Sequence, residues 1–312
     1  MPLAVGPAIS QMRGVMQLAL TLVGPDADLV TAAIGKLAPA LAAVRARVKE
    51  PRPLGPGAVD LLVEADDLAI VRSVANAVLA EQAIDHCVQP WNGRRKQLLI
   101  ADMDSTIIGC ECIDELADFA GVKAQVSAIT ERAMRGELDF EAALRERVAM
   151  LRGLPVADLQ RAYDQRVRLN PGARTFVRTM AANGARCLLV SGGFSFFTER
   201  VAVAAGFHED RANSLGVADD LLDGTVGDPI LGREAKLANL VAEAERLGLP
   251  LADTLAIGDG ANDLAMIGAA GLGLAYRAKP IVAAEADAKI DHTDLTTALY
   301  FQGYSQADFV TD

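Results

Sequence analysis

Long apolar runs are missing from this chain: stretches such as Met266 to Tyr276 fall well short of the roughly 20 residues a membrane-spanning helix needs. The segment Met16 to Val23 lacks the basic flank and cleavage pattern of a signal peptide, so the expectation is a soluble, cytoplasmic protein. Positive charge is also scarce. The 30 Lys and Arg stand against 41 Asp and Glu, a formal net charge of −11, which argues against nucleic acid or an anionic membrane as a partner. An anionic substrate would need a locally positive site. With only four cysteines, irregularly spaced, the chain fits reduced thiols better than a disulfide framework. Cys110 and Cys112 would make half of a zinc set, but no second Cys or His pair lies near them, and His86, His208 and His292 are scattered.

What is present is apolar residue in quantity. At 51% of 312 residues it is enough for the cores of two domains. In the first, Met16 to Val23 reads as a strand and Asp26 to Ala42 as a helix capped by Asp26 or Asp28. Val44 to Lys49 and Ala58 to Glu64 read as a hairpin around the Pro- and Gly-rich turn Pro51 to Gly57. A helix from about Ala65 to Glu81 and a strand near Ile84 to Gln89 complete a βαββαβ order, the ferredoxin-like arrangement. With the turn Gly24-Pro25-Asp26, that order resembles the small amino-acid-binding modules called ACT domains. The resemblance implies a regulatory or dimerisation unit over residues 1–92. L-serine is the candidate feedback ligand, and a homodimer is expected because a ferredoxin-like sheet leaves a face and an edge for a second copy.

After the polar link Pro90 to Lys96 the pattern changes. Gln97 to Asp102, Arg186 to Val190, Thr254 to Gly258 and Gly271 to Ala275 are buried-strand candidates separated by helical stretches, which predicts a doubly wound, parallel α/β core over residues 93–312. Residues from about 107 to 170 have helical spacing and no convincing strand, so they read as a helical cap inserted after the first core strand. Leu299-Tyr300-Phe301-Gln302-Gly303 coincides with part of a protease tag site. It lacks the preceding Glu, nine residues follow it, and it reads as native sequence.

Chemistry concentrates at the strand ends. In Asp102-Met103-Asp104-Ser105-Thr106, extended geometry puts the two carboxylates on one side at the carboxyl end of a strand, where open α/β sheets bind ligands. Mutual repulsion suits one carboxylate to acid–base work and leaves the other as nucleophile or metal ligand; the competing reading is a solvated acidic turn. Ser191-Gly192-Gly193 offers a hydroxyl and amides for a phosphate, or is simply a tight turn. Lys236 is a point charge for an anion or an ordinary helix lysine. Gly258-Asp259-Gly260-Ala261-Asn262-Asp263 supplies hard oxygen ligands suited to Mg²⁺. In this order the four fragments are very unlikely to be accidental.

Taken together, residues 97–300 resemble the phosphoserine phosphatases of the haloacid-dehalogenase-like superfamily, a doubly wound core with an aspartyl nucleophile and a mobile cap. The resemblance implies Asp102 as nucleophile, Asp104 as general acid and then base, and Mg²⁺ bound by Asp102, Asp104 and Asp259 with Asp263 in support. Ser191, Gly192 and Asn262 would bind the phosphoryl end, Lys236 would neutralise it, and Thr106 would help position the loop. Gly109 to Glu115 and Phe140 to Val148 resemble the two cap segments of the same enzymes. By that likeness Glu111 would hold a substrate ammonium and Arg147 its carboxylate, with Met134 and Phe140 lining the pocket. The alternative for the second segment is an exposed ion-pair pattern from Glu141 to Arg145 and Glu146. The expected activity is hydrolysis of O-phospho-L-serine, the last step of serine biosynthesis. Another small phosphate ester is the second choice and a non-turnover phospho-aspartate sensor the third.

Overall fold

A computed structural model describes residues 15–134 and 137–311, except the side chains of residues 133 and 134. The N-terminal unit runs β1 (Met16–Val23), α1 (Ala27–Ala43), β2 (Arg47–Val48), β3 (Arg52–Gly55), β4 (Ala58–Ala65), α2 (Leu68–Leu79) and β5 (Asp85–Pro90). Its antiparallel sheet has the order β2-β4-β1-β5, with β3 also on β4, which is the ferredoxin-like order. Asp26 starts α1 by accepting the Leu29 N–H at 2.8 Å, and Asp67 caps α2 in the same way. Leu18, Leu20 and Leu22 of β1 meet Val30, Leu37 and Leu41 of α1 and Val71 and Ala75 of α2 in one buried cluster.

Two local expectations change. The strand expected over Val44 to Lys49 shrinks to β2, because Val44 and Arg45 turn off the end of α1 and Arg45 takes a φ of 62°. The turn expected over Pro51 to Gly57 contains β3 and tightens to Pro56-Gly57, where Gly57 has a φ of 68°. Pro53 lies in a strand that pairs on one side only, the place in a sheet where proline is tolerated.

The larger unit is a six-stranded, all-parallel sheet in the order β13-β12-β11-β6-β7-β8. Its strands are β6 (Leu98–Ala101), β7 (Arg186–Phe194), β8 (Glu209–Asn213), β11 (Thr254–Gly258), β12 (Leu272–Tyr276) and β13 (Ala288–Ile290), and a separate hairpin is formed by β9 (Leu215–Ala218) and β10 (Leu221–Val226). Alternate residues of the central strands face opposite sides. Leu99, Ala101, Leu189 and Ile257 pack with α7 (Ala173–Ala182) and α8 (Ser195–Ala205). Leu98, Ile100, Val190 and Ala256 pack with α9 (Arg233–Leu247), α10 (Leu264–Ala269) and α11 (Pro280–Glu285). Between Ile107 and Asn170 lie α3 (Cys112–Phe119), α4 (Lys123–Met134), α5 (Phe140–Ala149) and α6 (Val156–Arg166). This helical layer is stitched to the β9–β10 hairpin through Gly153 N–H to Leu222 O at 2.8 Å and Val156 N–H to Asp220 O at 2.9 Å.

The two units share a core. Val23, Leu54, Ala58 and Cys87, from the sheet face opposite α1 and α2, belong to the same buried cluster as Leu295, Leu299, Phe301 and Tyr304. The short helix α12 (Thr297–Phe301) packs on β1 and β5. The Asp85 carboxylate accepts the backbone N–H groups of Asp291, His292 and Thr293 at 2.8, 3.2 and 2.9 Å. The face expected to receive a second copy is therefore occupied by the chain itself, which removes the face, but not the sheet edge, as a reason for a homodimer. Beneath it, fully buried Asp60 pairs bidentately with Arg94 at 3.0 and 2.9 Å and accepts the Thr21 hydroxyl at 2.6 Å. Replacing Arg94 by Met strands that carboxylate; unfolding by denaturant should show a loss of about 3–5 kcal/mol, and the double variant with Asp60→Asn should recover part of it. A single-variant loss under about 1 kcal/mol would mean the carboxylate finds other compensation.

Candidate active site

β6 ends at the centre of the sheet, and its last ladder bond, Asp102 N–H to Ile257 O at 3.0 Å, fixes Asp102 at the carboxyl edge. The chain then makes one wide turn from Met103 to Ile107, closed by Ile108 N–H to Met103 O at 3.0 Å. Asp102 and Asp104 both keep extended backbone angles, and Ser105 takes a φ of 55° to bend the chain away. The Asp102 carboxylate accepts the Met103 N–H at 2.8 Å and the Lys236 ammonium at 2.7 Å. That ammonium, from the first turns of α9 and almost fully buried, also reaches Asp263 at 2.6 Å. The second Asp263 oxygen accepts the N–H groups of Asp259 and Gly260 at 3.2 and 3.0 Å, which pins the Gly-rich turn after β11. Thr106 donates to Asp259 at 3.1 Å and so ties the two strand ends together.

Carboxylate oxygens of Asp102, Asp259 and Asp263 lie within 4.8 Å of one another. This compact, largely buried set of hard oxygen donors fits a metal ion. The Asp104 carboxylate, expected at the metal as well as in proton transfer, is not in that set. One of its oxygens accepts the Cys112 N–H at 3.0 Å, and the other faces the Gly193 backbone, 2.8 Å from where a Cβ would stand. Burial and then the Glu111 charge push Asp104 up to about 7, against the pull of the Cys112 N–H. Burial, Asp263 and Glu111 raise Asp259 to about 6. Burial and the Asp263 charge also raise Asp102, with Lys236 opposing them. Burial by itself would lower Lys236, but Asp102 and Asp263 outweigh it and hold the ammonium charged.

Ser191, Gly192 and Gly193 do not follow β7; they form a bulge within it, because the pairing with β8 shifts between Val190 and Phe194. Ser191 is buried, and its Oγ accepts the Gly193 N–H at 2.9 Å. Phe140, at the start of α5, covers this place: a Cβ on Gly192 would meet its ring at 3.1 Å and one on Gly232 at 3.2 Å. Glu111 is exposed at the start of α3 and accepts the Ser105 hydroxyl at 2.6 Å. Arg147 is half-buried; burial lowers its pKa while the charges of Asp114 and Glu111 raise it. The alternative ion-pair pattern from Glu141 to Arg145 and Glu146 is not what forms: Arg145 pairs with Asp228 at 2.5 Å, and Glu146 with Arg132 at 2.9 Å. Asn262 is half-buried beside Gly260. The Met134 side chain lies outside the described residues.

Three residues at the site were not anticipated from the sequence. Ser105 holds Glu111; Asn170 donates to Thr106 O at 2.8 Å and Ile108 O at 3.1 Å, clasping the two connections of the helical layer; Asn213 bonds the Gly192 carbonyl. Neither asparagine sits in a motif, and nothing in spacing marks them out.

Residues 99–268 match the model of the haloacid dehalogenase-like hydrolases. The chain belongs to this family. Within it, the chain is 46% identical over 208 residues to a phosphoserine phosphatase of Polaromonas sp., covering 65% of this chain and 88% of that one. It is 43% identical over 233 residues to phosphoserine phosphatase SerB2 of Mycobacterium tuberculosis; the match covers 74% of this chain and 57%, little more than half, of that relative's length. Among solved structures, a haloacid-dehalogenase-family hydrolase of Salmonella enterica serovar Typhi superposes with a TM-score of 0.82 at 29% identity, over 91% of this chain and 98% of that one. That likeness includes most of the N-terminal unit as well as the family core.

Proposed function

We infer that this haloacid dehalogenase-like hydrolase is a phosphoserine phosphatase, hydrolysing O-phospho-L-serine to L-serine and phosphate through a phosphorylated Asp102. The observation that carries the substrate is the charge arrangement in the helical layer. The Glu111 charge is felt at Asp104, at Asp259 and at Arg147, so one negative and one positive group stand in the neighbourhood of the acid pair. A zwitterion with a phosphate at its third corner satisfies all three charges: ammonium to Glu111, carboxylate to Arg147, phosphate to the strand ends. Relatives that carry the same name over most of their length support the reading.

Asp102 attacks phosphorus while Lys236 offsets the repulsion between carboxylate and phosphate dianion. The Ser191 hydroxyl and the Gly192 N–H receive phosphoryl oxygens, and Asn262 adds a carboxamide from the opposite turn. As the P–O bond to serine breaks, Asp104 gives its proton to the leaving oxygen; it then takes one from the water that attacks the acyl phosphate and releases inorganic phosphate. Asp102, Asp259 and Asp263 would hold Mg²⁺, which when bound adds neutralising charge on the transferring group. Phe140, lying on Gly192 and Gly232, shields the cradle from bulk water.

In this reading residues 93–312 are the phosphatase unit with its cap at about 107–170, and residues 1–92 are an ACT-like unit. The reaction is the last step of serine biosynthesis in the cytoplasm, where four free thiols remain reduced. A serine feedback site at Gly24-Pro25-Asp26 gains no support from Asp26, whose carboxylate is engaged in capping α1. The test is phosphate release from L-phosphoserine beside p-nitrophenyl phosphate and phosphosugars. Arg147→Ala should lower kcat/KM for phosphoserine about 10–100-fold, the worth of a charged hydrogen-bonded pair. It should leave p-nitrophenyl phosphate within about threefold. Equal losses on both would assign Arg147 to the packing of the cap and undo the substrate argument.

A further inference from the structure

The slip between β7 and β8 leaves a gap that one side chain fills. Val190 pairs with Arg211 and Phe194 with Asn213, so four steps along β7 face two along β8, and the three residues Ser191 to Gly193 stand against the single residue Ala212 with no regular pairing. Asn213 takes the place of the missing ladder partner: its Nδ2 donates to Gly192 O at 2.8 Å. The same Nδ2 donates to Leu231 O at 3.2 Å, and Oδ1 accepts the Leu231 N–H at 2.6 Å, so the carboxamide pairs with Leu231 as a neighbouring strand would. The next residue, Gly232, is the N-cap of α9, which carries Lys236. Asn213 is 2% exposed, and its carboxamide spends its bonds on these two loops.

We propose that Asn213 is a positioning residue for phosphoryl transfer, splicing the Ser191–Gly192 cradle to the segment that delivers Lys236. It touches no reacting atom; it sets the distance between two groups that do. The proposal rests on the phosphatase reading and deepens it. Only a planar group with both a donor and an acceptor can do this. A carboxylate in its place would turn an oxygen toward two carbonyls, and a small hydroxyl would reach one loop and release the other. A buried carbonyl left without a donor moves to find one; here that motion turns the Gly192–Gly193 peptide, whose N–H is bonded to Ser191 Oγ at 2.9 Å, and so shifts both the Ser191 hydroxyl and the neighbouring Gly192 N–H assigned to the phosphate.

The experiment uses the full chain with Mg²⁺, as Asn213→Asp and Asn213→Ser, because the aspartate variant risks misfolding. Both L-phosphoserine and p-nitrophenyl phosphate are assayed, with inorganic phosphate as inhibitor and a melting curve for each variant. Misplacement of a reacting group costs on the order of 10–100-fold, so kcat should fall by that much on both substrates and phosphate inhibition should weaken alongside. KM for phosphoserine should stay within about threefold, since Glu111 and Arg147 are untouched. A folded variant with unchanged kcat would overturn the proposal. So would a loss that merely tracks the unfolded fraction while phosphate inhibition of the folded part is unaltered. If the unaltered chain cleaves p-nitrophenyl phosphate but not phosphoserine, the substrate reading falls and Asn213 is judged on the first substrate.

Discussion

Asp102→Asn should abolish phosphatase activity, with a loss on the order of 10⁴–10⁶-fold in kcat, as expected when a covalent nucleophile is removed. The substitution is nearly isosteric, and the carboxamide oxygen can still accept the Met103 N–H, so the turn after β6 should persist. Lys236 keeps its contact with Asp263 and stays in place. What disappears is the anionic oxygen that forms the new bond to phosphorus. Acid-quenched protein incubated with substrate should therefore carry covalent phosphate in the unaltered chain and none in the variant. Asp104→Asn should differ in kind: turnover falls about 10²–10⁴-fold, the worth of positioned proton transfer, while phosphate still binds. Chelation of divalent cations should stop turnover in the unaltered chain. Substantial activity in Asp102→Asn, or phosphate found on another residue, would remove Asp102 from the centre of the mechanism.

The parts of this site that the sequence reveals are the parts built from contiguous residues. Leu98 to Ala101 and Thr254 to Gly258 are short apolar runs buried on both faces, and each ends directly in an acidic motif, so strand and chemistry are legible together. β8 escapes notice because Glu-Asp-Arg-Ala-Asn looks like a loop; as an edge strand it tolerates charge, which Arg186 and Arg211 neutralise at Glu209. β13 is three residues long and gives periodicity nothing to act on. Asn213 is the instructive omission. Its importance comes from a bulge in a neighbouring strand and from a loop 18 residues further on, and no local pattern encodes either. The separation of Asp104 from the three clustered carboxylates is likewise tertiary: a shared strand end predicts that Asp102 and Asp104 are close, but the Cys112 N–H and the packing of Gly193 decide where Asp104 points. In the N-terminal unit the βαββαβ order follows from periodicity, whereas the fate of its open face does not. That face is settled by α12, whose residues, in the stretch resembling a tag site, are all buried.

A chain shortened to residues 93–312 should fail to remain soluble and folded, although every group assigned to catalysis lies within it. The N-terminal sheet supplies Val23, Leu54, Ala58 and Cys87 to the cluster that buries Leu295, Leu299, Phe301 and Tyr304. Tyr300 lies so close to β3 that a Cβ on Gly55 would stand 2.5 Å from its hydroxyl. Burying one large apolar side chain stabilises by about 1.5–3 kcal/mol, and a domain's net stability is only about 5–15 kcal/mol. Exposing even part of four such side chains consumes most of that margin and creates an apolar patch prone to association. The polar losses act in the same direction. Without Asp85 the backbone N–H groups of Asp291, His292 and Thr293 lose their acceptor, and without Gln89 the Phe301 carbonyl loses a donor at 2.7 Å. The segment so loosened follows β13, which pairs with β12 beside the Asp259 turn, and Lys279 N–H bonds Asp259 O at 3.1 Å, so disorder there reaches the carboxylate cluster. Light scattering and a melting curve on the shortened chain are the measurements. The expected result is aggregation, or a melting temperature lowered by more than about 10 °C with activity lost in proportion. A soluble monomer that melts with the full chain and turns over phosphoserine at its rate would show that the shared cluster adds nothing to the phosphatase unit, and that the small sheet is an appendage.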